Sequence, residues 1–266
     1  MLSDCCRHWT TPVHIESLGH GPDLVLVHGW SMHSGIWMPL IESLQQQFTV
    51  HLVDLPGHGQ SHWRPNDLQL DNVVETLAER LSFPANWLGW SMGGLIALRL
   101  AQRYPHHVQR LILMAATPQF VQTKDWLAAV PAEVFQSFAK RLDDDVSATL
   151  QQFLLIQGKG AMHARQLIRQ IAQHLAAGPT PDTEALREGL AMLLNENMRP
   201  AVRELACPVQ WILGSRDSLI PITVKYQIEA LSPAACVHEI EGAGHVPFVS
   251  HRAECLRLIE QFCHDK

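Results

Sequence analysis

Four short, largely apolar runs recur along the first 115 residues, and segments of helical spacing separate them. The runs are 23–28 (DLVLVH), 48–54 (FTVHLVD), 86–90 (NWLGW) and 108–115 (VQRLILMA). Each is apolar on both faces rather than alternating, as a strand covered on both sides must be. Between them, 37–46, 71–81 and 92–104 carry apolar residues at the three- and four-residue spacing of an amphipathic helix. Strand–helix alternation of this kind predicts an α/β fold: a mostly parallel central sheet with helices on both faces.

The alternation then stops. Between about 117 and 205 no run reads as a buried strand, and helices are predicted at 131–142, 146–157, 161–177 and 183–196. Gly158 and Gly178-Pro179 stand where helices should end. Strand character returns at 209–213 and 236–240, and a helix at 253–263 closes the pattern. A core built from 1–117 and 206–266, with 118–205 inserted as a helical lid, is therefore expected; the insertion is far too long for a plain connection.

Composition bounds the function classes. With 266 residues, 47% of them hydrophobic and 17% charged, the chain can bury a single substantial core. A formal charge of −6 argues against general nucleic-acid binding, which needs a basic surface to neutralise phosphates. No apolar run reaches the ~18 residues of a membrane span, and the start, 1–10, lacks the apolar region of a secretory signal. The six cysteines, at 5, 6, 207, 236, 255 and 263, form no C-x-x-C pair, so reduced thiols in a cytoplasmic protein are expected. The 16 histidines make no ligand cluster, and no metal or cofactor is expected.

Gly89-Trp90-Ser91-Met92-Gly93 has the form G-x-S-x-G between a strand and a helix, the setting that lifts a nucleophilic serine above a sheet. Small residues must flank such a serine because the backbone nearly touches itself there; Gly89, Gly93 and Gly94 supply them. A serine hydroxyl needs a base, and His245 in Gly242-Ala243-Gly244-His245 follows a strand near the end of the chain. His28 is a rival, assigned instead to support of the loop His28-Gly29-Trp30. The base needs an orienting acid. Asp217 in Gly214-Ser215-Arg216-Asp217 completes the order Ser, Asp, His, while Asp54 precedes the serine and is read as organising the turn 54–59 (DLPGHG). The backbone N–H groups of Met92 and Trp30 are the candidate oxyanion donors.

These segments together resemble a known family. His28-Gly29-Trp30, the run 53–61 (VDLPGHGQS), the elbow run 87–95 (WLGWSMGGL), the run 214–221 (GSRDSLIP) and the late run 243–251 (AGHVPFVSH) look like those of the carboxylesterases of biotin synthesis, within the α/β-hydrolases. Trp30, the Trp-Leu-Gly-Trp-Ser run and the late Ala-Gly-His-x-Pro-Phe-x-Ser-His run are the more specific marks; the resemblance extends from about residue 9 to 262 and is weakest in the lid. It implies a monomeric serine esterase that cleaves the methyl ester of pimeloyl-acyl carrier protein. It implies substrate contacts from Trp30, Ser91, Met92, His245 and the lid stretch Phe153, Leu154, Leu155, Ile156 and Gln157. It further implies that Arg165 and Arg169 hold the acidic carrier, with Ala148 and Gln152 standing where two further arginines are expected. Independently, 146–181 contains no Asp or Glu, and Arg165 and Arg169, four apart, share a helix face. A general short-chain carboxylesterase, a carbon–carbon hydrolase, a perhydrolase and a non-catalytic receptor on the same scaffold remain alternatives. Hydrolases with a carboxylate nucleophile are disfavoured by serine at 91.

Overall fold

A computed structural model describes residues 13–160, 163–176 and 178–264. The leading stretch 1–10, with Cys5 and Cys6, lies outside the described residues, as do the ends of the helix expected at 161–177.

The first three strands are β1 (His14–Gly19), β2 (Asp23–Val27) and β3 (Thr49–Asp54), with α1 (Met38–Leu44) before β3. Next come α2 (Leu70–Arg80), β4 (Ala85–Trp90), α3 (Met92–Arg103) and β5 (Val108–Met114). Four longer helices follow without a strand: α4 (Ala132–Asp144), α5 (Val146–Gly158), α6 (Ala164–Leu175) and α7 (Thr183–Asn195), then the short α8 (Arg199–Val202). The remainder is β6 (Val209–Gly214), α9 (Val224–Leu231), β7 (Cys236–Ile240), α10 (Pro247–Ser250) and α11 (Arg252–His264).

Among the described residues the strands form one seven-stranded sheet, ordered β1-β3-β2-β4-β5-β6-β7. β1 pairs antiparallel with β3, and every other neighbour is parallel. β4 and β6 are buried along their whole length, which is why they read as continuous apolar runs. α3, beside the central strands, buries nine of its twelve residues, whereas α2 buries only the stripe Leu70, Val73, Val74, Leu77 and Ala78. β1, α8, α9 and α10 were not anticipated from the sequence. β1 is a half-exposed edge strand, and two of the three helices are a single turn.

The insertion is held unevenly. α7 buries Ala185, Leu186, Gly189, Leu190, Met192 and Leu193, while α6 fully buries only Leu167 and Ile171. At ~1.5–3 kcal/mol for each buried large aliphatic side chain, α6 is the more weakly anchored helix and the one expected to open first.

Candidate active site

Parallel sheets collect their functional loops at the carboxyl ends of the strands, where successive crossovers diverge. Ser91 follows β4, Asp217 follows β6, His245 follows β7 and Trp30 follows β2, so all four reach the same edge. Ser91 sits at φ 55° and ψ −119°, a left-handed conformation that costs a non-glycine residue of order 1–3 kcal/mol. The surrounding backbone enforces it. Ser91 N–H donates to the Met114 carbonyl at 3.1 Å and Gly94 N–H to the Ser91 carbonyl at 2.8 Å. A Cβ at Gly89 would lie 2.3 Å from the Gly93 carbonyl oxygen, and one at Gly93 only 2.2 Å from that of Val27. Only glycine fits at either position.

The structure brings the three polar side chains into one chain of hydrogen bonds. Ser91 Oγ lies 3.0 Å from His245 Nε2, and His245 Nδ1 lies 2.8 Å from Asp217 Oδ2. The second carboxylate oxygen, Oδ1, accepts from the N–H groups of Leu219 (2.8 Å) and Ile220 (2.9 Å). Those two donors fix the carboxylate, so Oδ2 has one remaining task, to accept from Nδ1–H. Nε2 is then unprotonated and faces the serine hydroxyl. All three residues are buried, Ser91 at 5% exposure. Trp90, the second residue of the elbow motif, donates its Nε1–H to the His245 carbonyl at 2.8 Å, and its ring packs 5.6 Å from the imidazole. That contact, from the residue before the serine to the backbone of the base, was not legible in the sequence.

The rival residues stand apart. His28 Nδ1 is 2.8 Å from the Gly29 carbonyl, and its Nε2 accepts from Leu55 N–H at 3.0 Å, so it braces the loop that carries Trp30. Asp54 accepts from Ser34 N–H (2.7 Å) and Gln60 N–H (2.9 Å), tying the same loop to the turn 54–59. Behind it, His58 donates from Nδ1 to the Pro56 carbonyl at 2.9 Å. Burial, with His58 adding to it, pushes His28 down to about 3, and burial pushes His58 down to about 4. Both are therefore neutral in the folded protein. Below pH 6.5 the unfolded chain takes up protons that the native state refuses, so stability rises with pH across this window. Each histidine should cost about 1.4 kcal/mol of stability per pH unit on acidification from 6.5 towards 4. Thermal melts over that range should show the loss, and His58→Asn should make it visibly shallower. An unchanged slope would mean that His58 does not stay neutral.

Helices of the insertion roof the site. Trp30 Nε1–H donates to the Leu186 carbonyl of α7 at 2.8 Å. Its ring meets Phe153 of α5 edge-on at 4.6 Å, and Phe138 of α4 lies 6.2 Å away. A Cβ on Gly189 would come within 2.7 Å of Trp30 Cδ1 and 3.0 Å of Met92 Sδ, so α7 approaches the serine because it is bare there. Among the described residues, the backbone N–H groups of Trp30 and Met92 are spent on no other acceptor. Of the stretch on α5, Phe153 and Gln157, one turn apart, are buried. Leu154 and Ile156 are half-buried, and Leu155 is 58% exposed. Five consecutive helical residues cannot share one face, so these five present different sides of α5. Neither amide atom of Gln157 has a hydrogen-bond partner among the described residues. Ser218, beside Asp217, donates its hydroxyl to the Ile156 carbonyl at 3.2 Å, so the end of α5 rests on the acid-bearing loop. Arg165 and Arg169 are exposed on α6, and neither makes an ion pair among the described residues. Arg141 of α4 reaches across to donate to the side chain of Gln152.

The profile of the alpha/beta-hydrolase fold matches residues 22–252. The pimeloyl-[acyl-carrier protein] methyl ester esterase of Xanthomonas axonopodis pv. citri (strain 306) is 43% identical over 250 residues, covering 94% of this chain and 98% of that protein. The protein of the same name from Xylella fastidiosa (strain M12) is 42% identical over 252 residues, with the same coverages. Among solved structures, an esterase from Exiguobacterium antarcticum superposes with a TM-score of 0.86 at 18% identity, over 95% of this chain and 96% of that one. A bromoperoxidase from Bacillus anthracis superposes at 0.85 with 19% identity, over 95% of each chain. Likeness at such low identity speaks for the fold alone; the identity and coverage of the Xanthomonas and Xylella proteins reach further. The chain belongs to the alpha/beta-hydrolase family and, within it, to the family of the pimeloyl-[acyl-carrier protein] methyl ester esterases.

Proposed function

We propose that this protein hydrolyses the methyl ester of pimeloyl-acyl carrier protein, with Ser91 as nucleophile, His245 as general base and Asp217 as its orienting acid. The observation that carries the chemistry is the continuous chain Ser91 Oγ–His245 Nε2–His245 Nδ1–Asp217 Oδ2 at 3.0 and 2.8 Å. His245 takes the serine proton as Oγ attacks the ester carbonyl, and the oxyanion is received by the N–H groups of Trp30 and Met92. Collapse expels methanol, protonated by His245. Water, activated by the same imidazole, then releases the free carboxylate and regenerates Ser91.

The insertion formed by 118–205 acts as a lid and supplies the substrate contacts. Phe153 and Phe138 present aromatic faces beside Trp30 that suit an aliphatic chain. A buried amide without a partner costs ~1–3 kcal/mol, and a polar group of the substrate would relieve that cost at Gln157. Arg165 and Arg169 form the docking face for an acidic carrier. Ala148 and Gln152 leave it with fewer arginines than expected, but Arg141 brings a guanidinium to the Gln152 side chain from the neighbouring helix. The protein works as a monomer in the cytoplasm and needs neither cofactor nor metal. No helix among the described residues is long and apolar enough to cross a membrane.

Complementation tests the whole reading: the gene should restore growth without biotin to a bacterium lacking its own esterase of this step, and the Ser91→Ala gene should not. Growth restored equally by both would overturn it. The docking face has its own test. Exposed charge pairs are individually weak, ~0.2–1 kcal/mol, so Arg165→Glu/Arg169→Glu together is the better probe. The double reversal should lower kcat/KM on the carrier-bound ester several-fold relative to a small uncharged ester, most at low salt, because steering by surface charge is screened as salt rises. An equal fall on both substrates would indicate a damaged lid, and no fall would make this an ordinary solvated face.

A further inference from the structure

A second chain of three hydrogen-bonded polar side chains lies across β1, β3 and β2, far from the serine elbow. Ser17 of β1 and His51 of β3 are direct partners in the antiparallel ladder, and Val25 of β2 is the partner of His51 on its other side. Asp23 stands two residues before Val25, so Ser17, His51 and Asp23 share one face of the sheet. Ser17 Oγ is 2.8 Å from His51 Nδ1, and His51 Nε2 is 2.8 Å from Asp23 Oδ1. Asp23 opens β2, whereas Trp30 lies beyond the far end of that strand. The length of β2, ~13 Å at ~3.3 Å per residue, therefore separates Asp23 from the edge that carries Ser91. Hydrolysis at Ser91 uses none of these three residues.

The polarity of the chain follows from its ends. A carboxylate can only accept, so Asp23 receives Nε2–H and keeps the proton of the neutral imidazole on that nitrogen. Nδ1 is then unprotonated and accepts from the Ser17 hydroxyl. The division of labour is that of the Ser91 site with the two ring nitrogens exchanged. The His51 side chain is only 9% exposed and its ring packs 5.3 Å from that of Phe83, so the imidazole is held in place. The Asp23 carbonyl accepts from Asn86 Nδ2 at 3.3 Å, which ties the start of β2 to β4. Ser17, by contrast, is exposed on the edge strand, where a solute can reach it. Ser17 also sits within an extended strand, with no elbow and no helix starting behind it. It therefore lacks the preorganised oxyanion donors of the Ser91 site, each worth ~10²–10³ in rate.

We propose that Ser17 is a second nucleophile, with His51 as its base and Asp23 orienting that base, and that it is acylated by activated aryl esters but not by alkyl esters. Ser17 Oγ attacks the ester carbonyl carbon and gives its proton to His51 Nδ1. The bond from that carbon to the aryl oxygen breaks, the aryloxide departs with the electron pair, and the imidazolium returns its proton to water. An aryloxide leaves without being protonated, so base assistance of ~10²–10⁴ is enough for this step. A methoxide is a far poorer leaving group, so methyl esters remain with Ser91. With no oxyanion donors to help water attack the product, the acyl group stays on Ser17, and the reaction stops at a single acylation of each chain.

The test uses the full chain carrying Ser91→Ala, which removes the main activity, and p-nitrophenyl acetate as the probe. The expected result is an acetyl ester on Ser17, located by peptide mass spectrometry and released by hydroxylamine, with none formed from methyl acetate. Hydroxylamine cleaves a serine ester and spares acetylated amines, so reaction at surface lysines is not counted. In the same background His51→Gln should slow acetylation of Ser17 about a hundredfold, because the base is gone. Asp23→Asn should slow it about tenfold, because the amide no longer fixes the tautomer. Melting temperatures establish that each variant is folded, and Asp23→Asn decides the matter if His51→Gln does not fold. Acetylation of Ser17 no faster than that of other exposed serines would overturn the proposal. So would an unchanged rate at Ser17 in the folded variants, which would make the trio a cross-strand brace without chemistry.

Discussion

Ser91→Ala should lower kcat on any methyl ester by about 10⁴-fold or more, with the fold intact. The residue sits at φ 55° because the glycines at 89 and 93 let the backbone close upon itself, not because its side chain holds the turn. Alanine accepts the same backbone at similar cost, so the melting temperature should move little. The hydroxyl's one side-chain partner is His245 Nε2, and its removal leaves the imidazole without a proton to take. Residual turnover would reflect the oxyanion donors acting on water alone. The measurement is steady-state hydrolysis by purified protein, with circular dichroism to establish the fold; near wild-type turnover would remove Ser91 from the mechanism.

Asp217→Asn should be nearly as damaging, about 10³–10⁴-fold in kcat. The amide oxygen can still accept from the N–H groups of Leu219 and Ile220, so the loop keeps its shape. The amide nitrogen then faces His245 Nδ1 and donates to it. That selects the tautomer with the proton on Nε2, pointing at the serine, where it cannot act as a base. Asp54→Asn is the informative contrast. Asp54 receives two backbone N–H groups, so an amide there sets one donor against another and should cost ~1–3 kcal/mol of stability. Its effect on kcat should be small beside that of Asp217→Asn. The reverse ranking, with both variants folded, would exchange their roles.

The parts of this site that were legible in the sequence are those whose geometry is set locally. The elbow could be read because its motif is local and Gly89 is demanded by the backbone of Gly93 and Gly94, although Gly93 itself is demanded by the distant backbone of Val27 and His28. The strands β2, β4 and β6 could be read because burial on both faces leaves few polar residues in them. What escaped depends on contacts between distant segments. Gly189 looks like an ordinary weak point in a helix, and only the packing of α7 on Trp30 and Met92 gives it a reason. Trp90 to the His245 carbonyl spans 155 residues. Leu155, the third residue of the stretch 153–157, is exposed because a helix turns consecutive residues to different sides. The edge strand β1, with the exposure pattern of a strand paired on one side only, offers too little periodicity to separate it from a loop.

Hydrolysis of the carrier-bound substrate is the most direct test of the proposed activity. One preparation, its active sites counted by fluorophosphonate labelling at Ser91, should be assayed on the methyl ester of pimeloyl-acyl carrier protein and on a short p-nitrophenyl ester. The expected result is a higher kcat/KM for the carrier-bound ester, methanol and free carboxylate released one to one, and a transient ester joining Ser91 to the pimeloyl group that is still thioester-linked to the carrier. A protein that labels at Ser91 and cleaves the p-nitrophenyl ester, yet leaves the carrier-bound methyl ester intact, would contradict it and make this chain a general short-chain esterase.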